Sequence, residues 1–132
     1  MSEQIKEPNL NIAFVGDRFS EFGGTQFSSI VSDVKVAPQV RLDQESVQNK
    51  LIYSLILSQS LMQVHDIAMG GLWQTIVEMV LGERGDFYIG VTLNLMKFDS
   101  LETVLFSESG GYVIAFRDDQ LQDVISKVNE FG

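Results

Sequence analysis

The chain of 132 residues contains no cysteine. This excludes disulfides, thiolate zinc sites, iron–sulfur clusters and cysteine nucleophiles. Cytoplasm is the default location for such a chain. The single histidine, His65, has no second imidazole with which to build a histidine metal site. Basic residues are scarce: 9 lysines and arginines face 18 aspartates and glutamates, a net charge of −9. That field repels phosphate backbones, and no stretch concentrates the cations, so no nucleic-acid partner is expected. No apolar run approaches the roughly 20 residues of a membrane span. The opening MSEQIKEPN lacks the apolar segment of a signal peptide, and no membrane partner is expected. Serine-elbow, Walker-type and zinc-helix motifs are also missing.

What is present suits one globular domain, since 45% of the residues are hydrophobic. Residues 1–9 are polar and include Pro8, and they read as a flexible lead-in to a single domain over 10–132. Residues 10–15 (LNIAFV) form a buried strand ending at Gly16. Thr25 caps a short helix through Ile30. Residues 32–41 are irregular around Pro38. A long helix then starts with Asp43 as N-cap. It carries Val47, Leu51, Ser54, Leu55 and Ser58 on one face, and Ile52, Ile56 and Leu57 widen the stripe until more than one side is buried.

A second strand is expected over 61–64, then a helix after the glycine pair with Leu72, Ile76, Val77 and Val80 on one face, ending near Gly82. The alternating residues 87–95 (FYIGVTLNL) read as a third strand. A helical turn follows over 100–104, and residues 112–116 (YVIAF) form a fourth strand. Asp118 or Asp119 caps a last helix carrying Leu121, Val124, Ile125 and Val128. The fold expected is an α/β (α+β) sandwich, a mixed sheet of about four strands covered by helices.

One stretch invites chemistry: HDIAMGGL at residues 65–72. A helix start after a Gly-Gly turn offers unpaired N–H groups and a partial positive charge, which attract phosphates and carboxylates. Asp66 suits a hard cation such as Mg²⁺, or it caps the helix in an ordinary tight turn. Both readings stand on these residues alone. Glu78 and Glu108 are candidate functional carboxylates among many acidic residues. Trp73, the methionines and the phenylalanines fit core or interface patterns better than a cofactor site.

Three segments together carry a resemblance. His65-Asp66-Ile67-Ala68-Met69-Gly70-Gly71-Leu72, continuing to Glu78-Met79, resembles the His-Asp-x-Ser-Asp-Gly-Gly-Leu…Glu-Met segment of phosphoribosylformylglycinamidine synthases. Leu105-Phe106-Ser107-Glu108-Ser109-Gly110-Gly111 is similar to their Leu-Phe-Ser-Glu-Ser segment. Ala13-Phe14-Val15-Gly16 followed by Phe22-Gly23-Gly24-Thr25 resembles their strand, glycine and Gly-Gly-Ser/Thr turn. The resemblance covers residues 8–131 and is to the C-terminal domain of the aminoimidazole ribonucleotide synthetase superfamily. Related domains occur in selenophosphate synthetase, hydrogenase maturation factor E and thiamine monophosphate kinase.

The resemblance implies de novo purine biosynthesis, in which the full enzyme converts formylglycinamide ribonucleotide to its amidine with ATP, Mg²⁺ and glutamine-derived ammonia. The implied partners are a synthetase N-terminal domain, which builds most of the ATP site, or other subunits of a purine-biosynthetic complex. The chain alone is then not catalytic. Asp66 (the Mg²⁺ position), Gly70 and Gly71 are implied to lie near phosphate, together with the turn at Gly23, Gly24 and Thr25. His65 is implied to orient the loop, with Ser107 and Glu108 at the domain interface.

Ala68 replaces the family's hydroxyl, and Met69 replaces the purine enzyme's aspartate. The ending at Asn129-Glu130-Phe131-Gly132 reads as a truncation, where the family adds at least one strand. A covering domain exposes apolar patches when isolated, so a homodimer is expected. The alternative is a degenerate, non-catalytic structural or assembly module, or a domain from another superfamily member.

Overall fold

The structure is a computed structural model that describes residues 5–31, 35–81, 89–95 and 98–131. Its centre is a strand that must be apolar on both faces. The YVIAF stretch becomes β3 (Tyr112–Phe116), with residues 113–116 all buried. β3 lies between β1 (Asn11–Val15) and β2 (Gln63–Asp66), and both neighbours run antiparallel to it. The pleat sends Val113 and Ala115 to one face, with Ile67, Leu72, Ile76, Met79 and Val104. Ile114 and Phe116 go to the other face, with Leu51, Ile52, Leu55 and Val124.

Helices complete both layers. α1 (Leu42–Leu57) packs with α4 (Leu121–Phe131) on one side of the sheet, and α2 (Gly71–Leu81) packs with α3 (Leu101–Phe106) on the other. The expected α+β sandwich is therefore the observed architecture. Among the described residues no helix is long and apolar enough to cross a membrane.

Among the described residues the sheet has three strands rather than about four, and their pairings are antiparallel rather than mixed. The stretch 89–95 of the strand expected over 87–95 is not one of the three strands, and residues 87 and 88 lie outside the described residues. Its alternation is still expressed: Ile89, Val91, Leu93 and Leu95 pack on the core, while Gly90, Thr92 and Asn94 are exposed. Period-two hydrophobicity reports which side chains turn inward.

Strand β2 starts two residues later than expected, because Leu61 fills the core from the loop before it. Helix α1 begins at Leu42, so Asp43 sits in its first turn, and Arg41 is the N-cap. The local capping contact runs backward instead, with the Arg41 N–H donating to Glu45 Oε1 at 3.3 Å. Only Leu51, Ile52 and Leu55 of α1 are buried, and Val47, Ile56 and Leu57 are exposed. One helix lying on one sheet face with a single neighbour has no second surface to cover them. The last helix behaves alike: Val124 is buried, while Leu121, Ile125 and Val128 are exposed. A 3-10 turn at Asp118–Gln120 leads into it, and Asp118 accepts from Asn11 Nδ2 at 2.7 Å. The helix expected from Thr25 to Ile30 is a 3-10 turn over Phe27–Ser29. The expected end of α2 near Gly82 lies outside the described residues.

An ion pair closes the loop between β1 and α1. Glu21 accepts from both terminal nitrogens of Arg41, whose guanidinium lies 3.6 Å from the centre of the Phe19 ring. The Arg41 hydrogen bond holds the Glu21 carboxyl below its ordinary value of 4.5, against desolvation and with help from the Gln39 N–H and the Arg41 charge. A depressed carboxylate stabilises the fold above its unfolded pKa, and that contribution is lost as pH falls through the lowered folded value. Glu21→Gln is expected to lower stability in urea unfolding at pH 7, with the difference from the parent shrinking toward pH 3. A pH-independent difference would assign Glu21 a packing role only.

Candidate functional site

Strand β2 carries His65 and Asp66 at its end, with Asp66 opposite Tyr112. The chain then turns into α2. The Ile67 N–H donates to Gly111 O at 2.7 Å, which ties the turn to the start of β3. Gly70 and Gly71 have φ of +83° and +69°, a region L residues enter at a cost. The buried Thr75 Oγ1 lies 3.2 Å from the carbonyls of both Asp66 and Gly71, bracing the turn from below.

The second turn, Phe22-Gly23-Gly24-Thr25, is anchored by the Gly23 N–H on Val36 O at 2.7 Å. Thr25 does not cap a full helix. Its buried hydroxyl donates to Phe22 O at 2.7 Å and lies 3.4 Å from the Ser28 N–H. The third segment leaves α3, whose N-cap Ser100 accepts from the Thr103 N–H at 3.1 Å. The Phe106 ring stacks on Phe27 with centroids 5.1 Å apart, and Phe27 contacts Phe22 at 4.9 Å. The loop of residues 107–111 then passes between the two turns.

One carboxylate joins all three segments. Glu108 Oε1 accepts from the Gly70 N–H at 2.8 Å and from the Gln26 N–H at 2.9 Å. Among the described residues this half-buried carboxylate has no cationic partner, and two backbone N–H dipoles face its charge. Gln26 adds a second link, with Nε2 donating to Met69 Sδ at 3.0 Å. From the opposite side Arg18 grips the same loop by donating to the carbonyls of Ser107 (3.5 Å) and Gly110. Burial draws the Arg18 guanidinium down to about 10 against the opposing pull of Asp17, and its buried Nε has no hydrogen-bond partner among the described residues. Ser107 is fully buried, and its hydroxyl pairs with that of Ser109.

The structure thus brings Gly70, Glu108 and the Gly23-Gly24-Thr25 turn to one junction. His65 and Asp66 make other contacts. His65 Nδ1 lies 2.8 Å from Asp66 O, and Nε2 lies 3.5 Å from Glu78 Oε2. Its ring is 17% exposed, against 68% for the Asp66 side chain. Gln26 and Arg18 belong to the junction and carry no sequence motif, because Gln26 enters it through its own backbone N–H and Arg18 through the carbonyls of another segment.

Among the described residues no set of three His, Asp or Glu is placed to hold a metal ion. A cation on Asp66 therefore needs ligands from elsewhere. The Gly70 and Gln26 N–H groups are taken by Glu108, and the Gly71 N–H donates to Ala68 O at 3.1 Å. With Ala68 lacking a hydroxyl as well, the Gly70, Gly71 and Gln26 donors are not free to receive phosphate while Glu108 and Ala68 O hold them.

Residues 7–132 match the family described as AIR synthase related protein, C-terminal domain. Curated relatives are named phosphoribosylformylglycinamidine synthase subunit PurL. The chain is 26% identical to the one from Methanobrevibacter smithii, over 95% of this chain and 18% of the relative. It is 32% identical to that of Thermococcus sibiricus, over 97% of this chain and 18% of the relative. Identity to that of Streptomyces avermitilis is 34%, over 83% of this chain and 14% of the relative. The chain therefore spans less than a fifth of the length of these relatives. By its matched span, its helix-covered sheet and its three joined turns, the chain belongs to the AIR synthase related protein family as a C-terminal domain.

Proposed function

We propose that the chain is the covering domain of a phosphoribosylformylglycinamidine synthase-like enzyme of purine biosynthesis. It works with a synthetase N-terminal domain in the cytoplasm and has no turnover of its own. The observation that supports this most is the junction at Glu108. Three segments distant in sequence, each resembling the purine enzyme, meet there through the Gly70 and Gln26 N–H groups. In the composite site, ATP with Mg²⁺ supplies the free energy for replacing an amide oxygen by nitrogen. This chain's part is to present the turns of Gly23-Gly24-Thr25 and Gly70-Gly71, with Ser107 and Glu108, to the partner domain. Asp66, exposed at the end of β2, contributes one carboxylate toward Mg²⁺ whose other ligands come from that domain, and His65 braces the loop behind it.

The test is direct. The isolated chain, given formylglycinamide ribonucleotide, Mg-ATP and ammonia, is expected to form no ADP above background. ATP-dependent turnover by the chain alone would refute the reading. A second reading, a degenerate assembly module, is favoured by Ala68 and Met69 in place of a hydroxyl and a carboxylate. It expects that adding a synthetase N-terminal domain restores no turnover either.

Tyr53, Ile56 and Leu57 on α1 and Ile125 and Val128 on α4 are exposed apolar residues, and they support self-association of the isolated chain. Analytical ultracentrifugation is expected to show a dimer. A monomer at high concentration would contradict it.

A further inference from the structure

We infer that Glu108 is a resident anion that closes the turn before α2 to phosphate, so that a phosphoryl oxygen reaches the Gly70 and Gln26 N–H groups only by displacing it. The inference rests on the reading of this face as one that meets phosphate, and it adds a specificity-determining residue to it. Two backbone donors from separate segments converge on one oxygen, at 2.8 and 2.9 Å. Such convergence binds an anion by geometry and dipole. The seat is taken by a carboxylate without a cationic partner among the described residues, and that carboxylate is tethered to a loop pinned by Arg18. A tethered group competes at a high effective concentration, so a free anion of similar basicity is excluded. The neighbouring positions offer it no compensation. Met69 occupies Gln26 Nε2, and Ala68 has no hydroxyl to bind a second oxygen.

Removing the side chain then uncovers the seat. The probe is inorganic phosphate, titrated into the ¹⁵N-labelled full chain at constant ionic strength, with the Gly70 and Gln26 amide resonances followed by NMR. In Glu108→Ala both resonances are expected to shift together and saturate, with apparent affinity about tenfold or more above that of the parent. The parent should stay unmoved over the same range. Glu108→Gln is the second variant: its neutral amide accepts more weakly than a carboxylate, so its response should fall between the two. If Glu108→Ala does not fold, Glu108→Gln against the parent decides.

A parent that titrates as the variants do would overturn the inference, and so would a folded variant indifferent to phosphate. Because phosphate alone is the probe, either failure leaves the composite-enzyme reading standing. Failure of that reading would show instead in the turnover assay with the N-terminal domain.

Discussion

Gly111→Ala is expected to be among the most damaging single substitutions in the chain. A Cβ at this position would lie 2.3 Å from Val15 O, at a φ of +106°. Val15 and Tyr112 are paired at this end of the sheet, so relief requires β1 and β3 to part where they meet. Gly71→Ala meets the same obstacle on the other side of the junction, with Leu105 O at 2.7 Å and a φ of +69°. Left-handed strain and overpacking of backbone against backbone together cost roughly 3–5 kcal/mol. Thermal unfolding should show a fall in Tm of roughly 10 °C or more. Gly24 and Gly110 are the controls. Both have φ of +79° with open space where a Cβ would go, so alanine there costs only the strain, about 1 kcal/mol. Equal losses at all four positions would mean that the close approaches do not hold the junction together.

The second large effect concerns how α1 sits on the sheet. Leu55 is completely buried against the face that carries Ile114 and Phe116, whereas Leu57, two residues on, is 65% exposed. Leu55→Ala should cost about 3 kcal/mol by lost burial and the cavity left behind. Leu57→Ala should stay within about 0.5 kcal/mol for the unassociated chain. Chemical denaturation of both variants at a dilution that favours the monomer reads the contrast. A large loss at Leu57 would mean that the outer face of α1 is covered in the folded state.

Much of this architecture is legible in the residue pattern. An unbroken YVIAF run is what a strand sandwiched between two helical layers requires, and β3 is that strand. The apolar spacing of Leu72 and Ile76 marks the buried side of α2, although Thr75 and Met79 prove as deeply buried as they are. What the pattern leaves open is which side of an apolar helix meets the sheet. Helix α1 carries more apolar residues than one contact face can cover, and Tyr53, Ile56 and Leu57 remain outside. Alternation over 89–95 likewise encodes inward packing without encoding a pairing partner.

The site was readable as three motifs but not as one junction. Glu108 reaches across 38 residues to Gly70 and 82 residues to Gln26, and its partners there are backbone N–H groups. Any non-proline residue has such a group, so the identity of Gln26 leaves no trace of the contact. Arg18 is hidden in the same way, since it donates to the carbonyls of Ser107 and Gly110. His65 and Asp66 are an adjacent pair in sequence. On a strand, adjacent side chains point to opposite faces, and the two accordingly differ in exposure.

The central claim is that this chain supplies a joined set of turns and no nucleotide site of its own. Calorimetric titration of the isolated chain with Mg-ATP tests it most directly. No saturable heat is expected, because the Gly70, Gly71 and Gln26 N–H groups are already engaged and no metal cluster exists among the described residues. Stoichiometric binding of Mg-ATP by the chain alone would contradict it.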